Sequence, residues 1–190
     1  MARNEDQHFV PQFFLRRFST NKASIGAFIA PAKFIDCAPI KGQAQRRFMY
    51  GRDLKLEQLL SEQEGHWSAL LREVDQHDLP PTMLSAAHCD LLYFIALQRG
   101  RTISAAADHE DALTQMERFK HSAYAEIGVA VPEAAALPAN QHVLRTLDIH
   151  TRAWPYLLDL EVIVVRNNTE EWYFASDAPV CFHNDALYDL

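Results

Sequence analysis

Residues 7–18 read Gln7-His8-Phe9-Val10-Pro11-Gln12-Phe13-Phe14-Leu15-Arg16-Arg17-Phe18, and the rest of the chain has to fold around them. Four phenylalanines in so short a stretch demand a large apolar partner, while the histidine, glutamines and arginines beside them demand hydrogen bonds. Pro11 suits the first turn of a helix, where its missing N–H is not needed, and Val10, Phe14 and Phe18 then share one face. A short helix from Pro11 to Phe18 is predicted, with His8 just ahead of it.

The apolar partner is supplied by the helices that follow. Leu56, Leu59, Leu60, Trp67, Leu70, Leu71 and Val74 recur at spacings of three and four, so an amphipathic helix is predicted from Leu54 to His77. Pro80-Pro81 breaks the chain. A second helix through Leu84, Leu91, Leu92, Phe94 and Ile95, reaching Ala107, is apolar over a wide arc and reads as the central helix. A third runs from His109 to Ile127 and a fourth from Gln141 to Leu158, broken or kinked at Pro155. The stretch Val129 to Ala139, rich in proline and alanine, reads as a linker or surface loop.

Strands are expected at both ends. Residues 24–30 and 33–38 form a hairpin around Ala30-Pro31-Ala32. Leu160 to Val165 and Glu171 to Ala175 read as a second hairpin around Asn167-Asn168, so that the hairpins lie at about 24–38 and 160–176. Gly42 to Asp53 reads as an exposed basic loop that tucks in Phe48, Met49 and Tyr50. The expected architecture is α+β, mainly a helical bundle, and residues 1–190 are read as a single domain; a chain of this length that is 48% hydrophobic can bury a sizeable core.

The net charge of −7 is unevenly distributed. Residues 1–55 hold ten Lys/Arg against four Asp/Glu, net +6, leaving eight against twenty-one, net −13, in the remainder. The basic segment, densest at Arg46, Arg47, Arg52 and Lys55, either attracts phosphate groups and nucleic acid or complements the acidic body. No apolar run is long enough to span a bilayer, and Met1 to Asp6 lacks the core of a secretory signal, so a cytoplasmic location and no membrane association are expected. Cys37, Cys89 and Cys181 are too few and too scattered for a disulfide framework or zinc ribbon, and read as free, mostly buried thiols.

Glycine-rich phosphate loops, His-Glu-x-x-His, Gly-x-Ser-x-Gly and calcium loops are absent, so any chemistry falls to side chains. Gln98, Arg101 and Thr102, on or beside the apolar stripe of the central helix, either grip a phosphate or carboxylate or tie down the amino-terminal segment through backbone carbonyls. Glu64, beside the Leu56/Leu60/Trp67 stripe, is either a general base or metal ligand, or an ion-pair partner for Arg16, Arg17 or Arg101. Ser176-Asp177-Ala178-Pro179 at a strand end either presents a catalytic or metal-binding carboxylate or is turn chemistry, with His183, Asn184 and Asp185 close behind. His8 titrates near neutrality and either acts as acid, base or ligand or fills a structural role.

In order and rough spacing, His8 to Phe18, Leu56-Glu57 with Glu64, Leu97-Gln98-Arg99-Gly100-Arg101-Thr102 and Phe174 to Val180 resemble the bacterial family known as domain of unknown function 4238 over nearly the whole chain. The resemblance implies a shared site and supplies no reaction. Two departures stand out. Ala178 replaces the asparagine usual in the family, and members usually continue beyond this point, so strands of longer members would fall past Leu190, whether the chain is a short member or a truncated product.

If these motifs converge, His8, Glu64 and Asp177 are the expected catalytic groups and Gln12, Gln98, Arg101 and Ser176 the expected substrate contacts, with Asp177 and Glu64 holding Mg²⁺ or Mn²⁺. The expected activity is then metal-assisted phosphodiester hydrolysis, nuclease-like and of the defence or toxin kind, with the basic segment drawing in nucleic acid or another phosphate-bearing ligand. The alternative is a non-enzymatic binding or protein-interaction module whose polar cluster is structural. The two separate on whether those side chains face an open cleft or a closed core.

Overall fold

The structure is a computed structural model, and it describes residues 5–31, 33–131 and 139–182. The order of elements is β1 (Asp6–His8), α1 (Gln12–Leu15, continued by a 3₁₀ turn Arg16–Phe18), β2 (Ser24–Ile29), β3 (Lys33–Pro39), β4 (Gln45–Arg47), α2 (Lys55–His77), α3 (Ala86–Gly100), α4 (Ile103–Glu126) and α5 (Ala139–Ala153). Among the described residues it is an α+β, mainly helical fold with two small antiparallel sheets.

Helix α3 is the centre, as its composition demands. Leu91, Leu92, Phe94, Ala96 and Leu97 are buried, together with His88, Gln98 and Gly100. Trp67 of α2, 1% exposed, packs against Phe94 with ring centroids 5.2 Å apart, and Phe13 of α1 meets the same Phe94 at 5.7 Å. The phenylalanine-rich stretch thus finds its partner in an aromatic stack shared by α1, α2 and α3, with ring pairs in the tilted geometry that aromatic quadrupoles favour. Helix α5 closes the other side of α3 through Val143 and Leu147. The helices touch at Gly100, where an added Cβ would lie 2.8 Å from the Thr146 carbonyl oxygen and 2.9 Å from His150 Cβ. Only glycine permits that approach, and the Thr146 hydroxyl donates to the Gly100 carbonyl at 2.9 Å.

Several expectations need correction. The break between the second and third helices falls at Arg101-Thr102 rather than near Ala107, because the Thr102 side chain accepts from Ala105 N (3.2 Å) and opens α4 as its N-cap. Likewise Leu84 precedes α3 with φ +61°, and Ser85 caps that helix. The second sheet is not a carboxy-terminal hairpin. It is β1 paired with β4, Gln7 opposite Arg46, while residues 161–168 and 171–176 form no strand ladder. Asn167 does make the expected turn, its side chain accepting from Thr169 N and donating to the Glu171 carbonyl. The flanking Ile163, Val165, Trp172 and Phe174 are exposed, however, so little apolar burial holds the two segments in register, whereas β2–β3 is anchored by buried Ala38 and by Ile25 on the core. The fourth helix ends at Ala153 and passes into a 3₁₀ turn, Trp154–Leu157, at Pro155. Among the thiols, Cys37 and Cys181 are exposed and Cys89 is half-buried, so all three are free but they are not mostly buried. Most of the expected 129–139 linker, and His183, Asn184 and Asp185, lie outside the described residues.

Candidate functional site

Strand β1 sets the position of everything polar at the amino terminus. Gln7 is fully buried, and its side chain clamps the loop after β4: its Oε1 accepts from Tyr50 N (2.6 Å) and its Nε2 donates to the Gly51 carbonyl (3.0 Å). The clamp places the Tyr50 hydroxyl against the His8 carbonyl oxygen, to which it donates at 3.1 Å. Arg101, 1% exposed at the end of α3, donates to that same carbonyl (2.6 Å), to the Tyr50 hydroxyl (3.1 Å) and to Glu64 Oε1 (3.0 Å). Gln98 donates to the Phe9 carbonyl at 2.8 Å. Burial works against the Arg101 charge, but Tyr50 and Glu64 outweigh it and hold the guanidinium protonated. Burial pushes the Tyr50 phenol above its ordinary value, against the pull of Arg101.

Above this floor lies an open cleft of about 380 Å³ between α1 and α2, lined by His8, Gln12, Phe13, Arg16, Glu57, Ser61, Glu64, Gly65 and Ser68. Helix α2 contributes Glu57, Ser61, Glu64 and Ser68 from one polar stripe, at spacings of four, three and four that keep them on a common face. On the opposite wall, Arg16 donates to Gln12 Oε1 at 3.0 Å.

The His8 ring has two contacts at one nitrogen. Nε2 lies 3.1 Å from the Lys41 carbonyl oxygen and 3.4 Å from Gln12 Nε2. A carbonyl only accepts, so the nearer contact puts the proton on Nε2, and the Gln12 amide N–H then cannot donate there. Nδ1 is left as the basic atom. Burial holds His8 below the ordinary histidine value, although the Lys41 carbonyl and Glu64 oppose it, so the ring is neutral at pH 7. Glu57 is displaced the other way. Burial pushes its carboxyl up to about 7, partly countered by Arg101 and reinforced by the charge of Glu64.

Of the residues expected to form the site, His8, Gln12 and Glu64 share the cleft, and Glu64 takes Arg101 as its ion-pair partner. Arg101 and Gln98 lie beneath in the closed core, bonded to the carbonyls of His8 and Phe9. Ser176 and Asp177 do not line the cleft. Both are exposed, and Ser176 is engaged in its own turn, donating to the Ala178 carbonyl (2.8 Å) and accepting from Ala178 N (3.1 Å). A Mg²⁺ or Mn²⁺ ion bridging Glu64 and Asp177 does not fit this arrangement, since Glu64 is engaged with a guanidinium and, among the described residues, no three His, Cys, Asp or Glu side chains come together as a metal site. Glu57, Ser61 and Gln7 were missed. The first two carry a signal, the polar stripe of α2 running beside its apolar one, whereas Gln7 carries none, because its role depends on a loop more than forty residues away.

No helix among the described residues is long and apolar enough to cross a membrane. No curated protein and no solved structure matches the chain. One family does, over residues 6–189, which takes in the cleft, its floor and the Ser176-Asp177 turn: the chain belongs to the family described as "Protein of unknown function (DUF4238)".

Proposed function

We propose that the cleft between α1 and α2 is the acid–base site of a phosphodiester hydrolase, nuclease-like in substrate. One observation carries the reading: a neutral imidazole and a carboxyl pushed up to about 7 line the same open cleft, so that near neutrality one accepts a proton while the other still holds one. His8 Nδ1 takes a proton from water as its oxygen bonds to phosphorus. Glu57 gives its proton to the departing oxygen as the old phosphorus–oxygen bond breaks. Solvent then removes the proton from His8 and returns one to Glu57. Arg16, exposed on the cleft wall, is placed to neutralise charge on the phosphoryl oxygens, and the excess of positive charge over residues 1–55 favours a polyanionic substrate. Arg101 holds the His8 carbonyl from below, and Glu64, its ion-pair partner, borders the cleft.

The pH profile follows from the directions of these shifts. Activity rises as His8 loses its proton, below 6.5, and falls as Glu57 ionises near 7, giving an optimum on the acid side of neutrality. The test is cleavage of labelled single-stranded RNA and DNA and of bis-p-nitrophenyl phosphate, in chelator and with added Mg²⁺ or Mn²⁺. His8→Ala and Glu57→Gln are each expected to reduce turnover by roughly 10²–10⁴-fold. Equal rates in the wild type and both variants, or no turnover by the wild type, would sink the reading.

The burial of Gln98 and Arg101 favours a second reading, a binding module whose polar groups are structural. On that reading both cleft variants bind an oligonucleotide as the wild type does, and no preparation cleaves it.

A further inference from the structure

We infer that a second, separate cleft at Arg47, Phe48 and Arg52 is a phosphate-binding subsite for a nucleic acid strand whose scissile bond lies in the α1/α2 cleft. The subsite rests on the phosphodiester reading for the identity of its ligand. It is a cleft of about 480 Å³ lined by Glu5, Arg47, Phe48, Arg52 and Leu54, and it shares no lining residue with the acid–base cleft.

The loop that builds it is held in an uncommon shape. Phe48 and Leu54 adopt left-handed φ of +53° and +60°, and Gly51 lies between them at +121°. Side chains rarely adopt that conformation unless the surroundings fix it, and where they do the cause is often functional. Here the inner side of the loop is fixed by the Gln7 clamp on Tyr50 and Gly51, and Phe48 N donates to the Glu5 carbonyl at 2.8 Å. Tyr50 is thereby buried, whereas Phe48 lines the outer cleft beneath two guanidiniums, Arg47 at 5.1 Å and Arg52 at 5.2 Å from its ring centroid.

Two like charges gathered on one ring repel each other, and an anion between them removes that repulsion. Glu5 already answers one of them, accepting from Arg47 Nε at 2.9 Å. Arg52 makes no hydrogen bond or ion pair with any described residue, so the cleft keeps one positive charge without an acidic partner. The planar fork of a guanidinium is suited to the paired oxygens of a phosphate. Leu54, immediately before α2, borders the outer cleft, and Glu57, three residues on in the first turn of α2, lines the inner one. On this proposal a strand held at Arg52 passes the start of α2 to reach the acid–base pair.

The test is fluorescence anisotropy with a labelled twelve-nucleotide single strand on full-length Glu57→Gln protein, with and without Arg52→Ala or Arg52→Lys, across a salt series. Arg52→Ala should weaken binding by about tenfold at low salt and reduce the slope of log K against log salt by about one, while Arg52→Lys keeps the slope. Unchanged strand binding by Arg52→Ala overturns the subsite, even if wild-type cleavage is seen. Competition by inorganic phosphate as tight as by the strand overturns the strand assignment. Arg52-dependent strand binding by a protein that cleaves nothing overturns the hydrolase and leaves the subsite standing.

Discussion

Two polar regions meet at residue 8 and treat it differently. The floor, made of Arg101, Gln98, Tyr50 and Gln7, is closed and grips backbone: the carbonyls of His8, Phe9 and Gly51 and the N–H of Tyr50. The cleft above it, lined by His8, Gln12, Glu57 and Glu64, is open, although Glu57 itself is only 8% exposed. Arginine and glutamine in the floor thus perform the structural work that their residue types alone left open, and histidine and glutamate above them carry the chemistry. Changes to the floor should therefore appear in stability, and changes to the cleft in activity and pH dependence.

The largest effect belongs to Arg101. Arg101→Met removes the donor to the His8 carbonyl and to Tyr50 and leaves Glu64 without its cation. Loss of one partner of a buried pair costs about 3–5 kcal/mol, and the lower end applies because the Glu64 side chain is 23% exposed. The melting temperature should fall by roughly 6–12 °C for a chain of this size. A fall of one or two degrees with strand binding abolished would reverse the assignment and make Arg101 a ligand contact. Gln98→Ala is next, at about 1–2 kcal/mol for one buried hydrogen bond to Phe9 O, read by the same thermal unfolding. An unchanged melting temperature would take Gln98 out of the floor.

How much of this was legible in the sequence depended on the range of the forces involved. Helix α2 was readable because its apolar residues repeat within single turns, and the phenylalanine-rich stretch because so many rings must find a core. The break at Thr102 was hidden, since it rests on one capping hydroxyl and helix resumes at once from Ile103. Pairing of β1 with β4 was hidden for a different reason. Three-residue strands separated by almost forty residues show no alternation to read. Leu160 to Ala175 failed in the opposite sense, its local β preference being clear but most of its apolar side chains lying exposed. In the site, His8 and Glu64 were found by residue type. Glu57 stood out only as part of a motif, because its displaced carboxyl comes from burial in the folded chain.

Glu57 gives the sharpest test of the cleft. Its carboxyl binds protons more tightly in the folded chain, about 7, than at the ordinary value of 4.5, so it stabilises the fold fully below pH 4.5 and loses that contribution as pH rises past 7. Glu57→Gln removes the loss. The variant should match the wild type at pH 4 and exceed it at pH 8 by about 1 kcal/mol, or 2–4 °C, a value reduced from the full shift because the residue borders solvent. A variant less stable than the wild type at pH 8 would mean that Glu57 is held in the folded state as a charged partner, and the acid assigned to the cleft would be lost.

The smallest effect is expected at Asp177. Its side chain is exposed and does not line the cleft, and the adjacent serine closes a local turn through Ala178 alone. Surface substitutions of this kind stay within about 0.5 kcal/mol. Asp177→Ala should therefore leave the melting temperature, strand binding and cleavage as in the wild type, with or without Mg²⁺. A metal-dependent loss of cleavage would show that residues 176–177 reach the cleft during turnover and would restore a carboxylate–metal role. The contrast with Arg101 is then complete: one charged residue is expected to matter because its bonds are buried and its partners fixed, the other to be silent because its neighbours are solvent and its own turn.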